Sequence, residues 1–141
     1  MFKELNIHTA EITPIQCDNI RVGDIIWLRQ GERCPADMVL LYSSSECAHL
    51  KSDDVDGQTD RKVRRPITLT QRTVRQYSDI KRFINAEIKC EDQSITQVNT
   101  LDEFHGVFAF PGGMGKYDPE LNRDITEELT VENTMWHNMT L

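Results

Sequence analysis

Apolar and polar residues change places over short stretches in the first half of the chain, and the stretches are too brief for helices. Ile12–Gln16 and Ile25–Leu28 are short alternating or apolar runs, and Met38–Tyr42 is a third. Between them stand Gly23-Asp24, Gln30-Gly31 and Pro35-Ala36-Asp37, combinations that favour turns. Runs of this length at this spacing predict β-strands of a barrel or sandwich. Ser78 precedes a mixed apolar and basic stretch that reaches Asn85, and a serine there suits the cap of one short helix. Ala86–Cys90 and Val107–Phe110 read as later strands, and Pro111–Pro119, with Gly112, Gly113 and Gly115, reads as an exposed loop. No internal repeat or low-complexity tract interrupts the pattern. The expectation is a mainly-β fold with one short helix.

Length adds that one core is the natural result: 141 residues fit a single domain spanning 1–141. A formal net charge of −7 gives a surface that repels phosphate backbones and anionic membranes, which argues against a nucleic-acid partner. No apolar run reaches the roughly 18 residues of a membrane span. The start, Met1-Phe2-Lys3-Glu4-Leu5, lacks the apolar stretch of a signal peptide. A soluble, cytosolic, monomeric chain is therefore expected. Cys17, Cys34, Cys47 and Cys90 form no Cys-x-x-Cys pair and have no His at metal-ligand spacing, so free thiols are expected and no metal site.

The residues with the most chemistry per unit length are Asp56-Gly57-Gln58-Thr59. A glycine between polar residues lets backbone amides approach a phosphate closely, while Asp56 and Thr59 can order water or brace the turn. An EF-hand does not fit, because Val63 stands where the last ligand, a Glu, would be. Asp53, Asp54 and Asp56 remain either a weak divalent site or a solvated acidic turn. Arg61, Lys62, Arg64 and Arg65 follow at once, and read either as an exposed strand or loop balancing nearby acids, or as cations, Lys62 and Arg64 above all, that dock on an acidic partner. His105 and His137 have no convergent partners in sequence. Gly112-Gly113-Met114-Gly115 lacks the following Lys-Ser/Thr of a phosphate-binding loop.

Ordered together, Val22-Gly23-Asp24-Ile25-Ile26, Gly31, Pro35-Ala36-Asp37, Leu40-Leu41 and Asp56-Gly57-Gln58-Thr59 resemble the actuator domain of P-type ATPases, pumps that pass through an aspartyl-phosphate. The last loop is similar to the Asp-Gly-Glu-Thr of the type IV members, the phospholipid flippases. Thr59-Asp60 with Lys62 and Arg64, and Glu132-Asn133-Thr134-Met135-Trp136 near the end, look like the flippase subgroup that works without an accessory glycoprotein subunit. The resemblance is strong over Ile15–Arg65, patchy over Thr68–Asp124, and recovers over Leu129–His137. It implies a distorted jelly-roll or β-barrel actuator fragment whose ends lead to membrane helices, with the phosphorylation and nucleotide-binding domains elsewhere in a parent chain. It also implies that those domains are this one's partners, that they bind the parent's ATP and Mg2+, and that a missing membrane region takes the phospholipid. The fragment would then work at the cytosolic face of a Golgi, endosomal or other endomembrane, and be inactive alone.

By the same resemblance, Asp56, Gly57, Gln58 and Thr59 form the dephosphorylation loop. Gln58 stands where the family places the Glu that lines up water, and a glutamine can orient water but cannot take its proton. Two other readings stay open. One is a stand-alone acidic β-barrel interaction module without catalysis. The other is a small hydrolase using Asp56 and His105, for which no convergent nucleophile or pocket is evident.

Overall fold

A computed structural model describes residues 1–53, 59–90, 106–110 and 125–141. Among the described residues ten strands carry the fold: β1 Phe2–Leu5, β2 Ile12–Ile15, β3 Ile25–Trp27, β4 Met38–Val39, β5 Ala48–Asp53, β6 Thr59–Arg64, β7 Glu87–Cys90, β8 Gly106–Phe110, β9 Ile125–Leu129 and β10 Thr134–Met135. One helix, α1 Thr68–Thr73, and 3-10 turns at Cys17–Asn19, Tyr77–Phe83 and Val131–Asn133 complete the described elements. The mainly-β expectation holds. Sheet orders are β2-β1-β3, β10-β4, β5-β6 and β7-β8-β9, and every named pairing is antiparallel.

Several strands fall where the periodicity placed them, but others have shifted. Met38–Tyr42 contributes only Met38 and Val39 to a ladder, because beyond Val39 the backbone finds other partners: the Leu40 N–H donates to the Asn133 carbonyl at 2.8 Å and the Leu40 carbonyl accepts from Ile67 at 3.0 Å. The helical segment expected from Ser78 is a 3-10 turn over Tyr77–Phe83, and the side chain that caps it is Asp79, whose carboxylate accepts the Arg75 and Gln76 N–H groups. Its three-residue repeat sends Ile80 and Phe83 inward together. Helix α1 was not foreseen. Its Thr-Leu-Thr-Gln-Arg-Thr sequence has modest helix propensity, yet Leu69 and Thr70 are buried and the Thr68 N–H donates to Glu127 of β9 at 2.9 Å. The loop expected over Pro111–Pro119 lies outside the described residues.

Two buried clusters result. Ile67, Leu69, Ile80, Phe83, Phe108, Phe110 and Leu129 form the larger, with the Phe83 ring edge-on to Phe110 at 5.4 Å. Cys34, Leu50, Met135 and Met139 form the smaller, and Trp136 packs against both. Burying each large side chain contributes roughly 1.5–3 kcal/mol. Thr70 is fully buried, and its hydroxyl donates to the Leu41 and Ile67 carbonyls.

Candidate functional site

Strands β5 and β6 form a six-pair hairpin, from Ala48 opposite Arg64 to Asp53 opposite Thr59. Residues 54–58, with Asp56, Gly57 and Gln58 among them, connect the paired ends and lie outside the described residues, as does His105. Thr59 is the first residue of β6. The strand pairing holds Asp53 and Thr59, the described residues that flank 54–58, side by side.

The hairpin is anchored to the rest of the domain along β5. The Lys51 N–H donates to the Thr140 carbonyl and the Thr140 N–H to the Lys51 carbonyl, both at 2.8 Å. On its other side the same C-terminal segment bonds residues 31–34: Cys34 N–H to the Met139 carbonyl at 2.7 Å, Leu141 N–H to the Glu32 carbonyl at 3.0 Å, and Gly31 N–H to the Leu141 carbonyl at 2.7 Å. Residues 138–141 are therefore a strap between β5 and the 31–34 segment. Alternation along the strands sends Cys34, Leu50 and Met139 into the smaller cluster.

The turns that resemble the family's sequence have a common construction. At Arg21–Asp24 the Asp24 N–H donates to the Arg21 carbonyl at 3.0 Å, and the Asp24 carboxylate accepts the Arg21 N–H at 2.8 Å. At Arg29–Glu32 the same two bonds recur, 3.0 Å between backbones and 2.7 Å to the Glu32 carboxylate. The third residue of each turn is a glycine with positive φ, Gly23 at 98° and Gly31 at 88°, the conformation a type II turn requires there. Asp37, third of Pro35-Ala36-Asp37, accepts the His137 N–H at 2.9 Å and so ties that segment to the C-terminal region.

Along β6 and just beyond it the basic residues have different surroundings. Arg61 and Arg65 are exposed, Lys62 is half-buried, and Arg64 is 6% exposed. Burial commits the Arg64 side chain to the interior of the domain, whereas Lys62, opposite buried Leu50, is only partly covered. Sequence reasoning missed the role of Asn133. Its side-chain amide donates to the Arg65 carbonyl at 2.9 Å and its oxygen accepts the Thr130 N–H at 3.0 Å. Its backbone carbonyl accepts from Leu40. Asn133 thus joins the end of β6, the β4 exit and the turn before β10. The only available signal was its place in Glu132-Asn133-Thr134-Met135-Trp136.

Among the described cysteines Cys17, Cys34 and Cys47 are free. Burial pushes the Cys34 thiol up to about 11, with Asp37 adding to the shift. No group of three or more His, Cys, Asp and Glu among the described residues is arranged to hold a metal ion. Among the described residues no helix is long and apolar enough to cross a membrane.

Residues 5–50 match the family described as the P-type ATPase actuator domain. The chain is similar to the phospholipid-transporting ATPase FetA of Mus musculus, 30% identical over 129 residues that make up 90% of this chain and 10% of that protein. It is 32% identical to the phospholipid-transporting ATPase NEO1 of Saccharomyces cerevisiae over 130 residues, again 90% of this chain and 10% of the relative. The probable phospholipid-transporting ATPase tat-5 of Caenorhabditis elegans is 31% identical over 126 residues, 88% of this chain and 10% of that protein. The chain thus spans about a tenth of the length of the relatives it matches. In its β-rich fold, in the match over residues 5–50 and in the relatives that align along most of its length, the chain is similar to an actuator domain of the P-type ATPase kind.

Proposed function

We propose that residues 1–141 act as the actuator domain of a longer phospholipid-translocating ATPase, and that Asp56, Gly57, Gln58 and Thr59 face the aspartyl-phosphate of a separate phosphorylation domain. The observation that carries this reading is the paired stem. Asp53 opposite Thr59 presents the connecting residues from one end of a hairpin, and just behind that end Lys51 of β5 is fixed to the domain body through Thr140. A loop on a rigid scaffold suits a task that depends on positioning.

In this reading Gly57 lets the backbone come close to the phosphoryl group, while Asp56 and Thr59 hold the turn. The Gln58 amide orients the attacking water without taking its proton. Lys62 contributes to docking on the acidic face of the partner domain, and Arg64, more deeply placed, braces the stem. ATP and Mg2+ are assigned to the phosphorylation and nucleotide-binding domains of the parent, and no step here runs through either of them on this chain. The parent would move a phospholipid toward the cytosolic leaflet of an endomembrane. The resemblance at Thr59-Asp60, Lys62, Arg64 and Glu132-Asn133-Thr134-Met135-Trp136 supports a reading as a flippase that needs no accessory glycoprotein subunit.

The test has two arms. The isolated chain, incubated with ATP, should release no phosphate above background. The parent, given labelled ATP, should form an acid-stable phosphoenzyme. Turnover by the isolated chain would favour the small-hydrolase reading, and a parent that never becomes phosphorylated would leave only the interaction module.

A further inference from the structure

The layer built from residues 31–34, the 138–141 strap, β5 and β6 has a second face that the loop chemistry does not use. Antiparallel partners share a face of a sheet. Arg33 lies opposite Thr140, Thr140 opposite Lys51, and Lys51 opposite Arg61, so these four residues form one row across four adjacent segments. The strap bonds fix the row on both sides of Thr140. Adjacent segments lie roughly 4.8 Å apart, so the row is about 14 Å long. Arg33, Lys51 and Arg61 are all exposed. Their chain neighbours Cys34 and Leu50, together with Met139 beside Thr140, are buried in the smaller cluster, and this fixes which face the cations occupy.

A groove of about 450 Å³ opens beside the row, lined in part by His49, Lys51, Arg61, Thr140 and Leu141. Two pairs further along the hairpin and so on the same face, His49 lies opposite Val63, which is 48% exposed. The acid adjacent to Arg33, Glu32, is engaged by Arg29 at 3.2 Å. Like charges directly opposite one another weaken a sheet, and Lys51 opposite Arg61 is such a pair in a chain whose net charge is −7.

We propose that this face docks an extended acidic segment of a partner polypeptide, with carboxylates received by Arg33, Lys51 and Arg61 and an apolar side chain resting on Val63. A broad anionic surface, such as a membrane or a nucleic-acid duplex, would meet the rest of an acidic molecule and be repelled. A narrow strand would not. In an extended peptide, side chains on one face recur at roughly 6.6–6.8 Å, which falls between one and two segment spacings of the row. The inference does not depend on the actuator reading, since it uses different side chains, those of Arg33, Lys51, Arg61 and Val63.

The test is fluorescence anisotropy of a labelled peptide of alternating glutamate and valine, titrated with the full 141-residue chain. Saturable binding is expected, weakened about tenfold or more in Lys51→Glu/Arg61→Glu. Lys3→Glu/Lys89→Glu changes the net charge equally at distant strands and should bind as the unaltered chain does. Circular dichroism melting separates docking from folding, and Lys51→Gln/Arg61→Gln repeats the test without reversing charge. Absence of saturable binding overturns the proposal, as does equal loss in both Glu double variants. Binding confined to anionic-lipid vesicles or to a single-stranded oligonucleotide also overturns it.

Discussion

Gly23 and Gly31 show how much a single residue can specify when its backbone conformation is unusual. Each has positive φ, and a Cβ placed on either would meet nothing within 4 Å. Replacement therefore acts through backbone strain alone. Gly31→Ala should lower stability by roughly 1–2 kcal/mol, read as a shift in the urea midpoint at unchanged slope; an unaltered midpoint would show that the turn relaxes freely. These turns were legible in sequence because glycine followed by an acid is a local signal. Cys34 was not, since nothing local says which thiol is buried. Its pKa rises from 9.0 to about 11, chiefly through burial, so the fold favours the neutral thiol. The stability this contributes is whole below pH 9 and is lost as pH rises through about 11. Cys34→Ala should show a shallower loss of stability across that window, and a thiol-alkylating reagent at neutral pH should modify exposed Cys17 long before Cys34. Equal labelling of the two would contradict the buried placement.

Among the elements, β5 and β6 were the hardest to anticipate. Thr59–Arg64 is mostly charged, so its sequence reads as well as a solvated loop as it does as a strand. Pairing with β5 decides the matter, together with the strap on the far side of β5. These are contacts of long sequence separation that no local pattern records. Leu50, fully buried beneath the hairpin, should cost roughly 2–5 kcal/mol when changed to Ala; a change near zero in thermal melting would mean that the hairpin is not packed as described. Asn133 holds three segments by hydrogen bonds. Asn133→Ala should cost about 1–3 kcal/mol. In hydrogen exchange it should also raise the rate at the Leu40 and Arg65 amides, which lie beside it, more than at Lys51. The short strands of the first half were readable because alternation and turn residues agree there. Helix α1 was not, because burial of Leu69 and Thr70 and the Glu127 carboxylate on its first N–H supply what propensity lacks.

For the whole molecule, the fold provides a body to which the β5-β6 hairpin is packed and bonded. The larger cluster packs the β7-β8-β9 sheet, α1 and the Tyr77–Phe83 turn, the smaller supports the hairpin, and Trp136 touches both. The C-terminal strap is bonded to β5, the strand that carries one end of the candidate loop, so displacement of either is felt by the other through two 2.8 Å backbone bonds. The resemblance to the actuator family and the mainly-β class were legible because the ordered turn sequences are both structural and distinctive. The role proposed for Gln58 rests on the sequence alone, since residues 54–58 lie outside the described residues.

The most direct measurement is the decay of labelled phosphoenzyme in the full parent after a chase with unlabelled ATP, comparing Gln58 with Gln58→Glu. If the loop promotes dephosphorylation and Gln58 orients water without accepting its proton, the Glu variant should decay faster by roughly 10²-fold or more. Identical decay of the two forms would contradict this role for position 58.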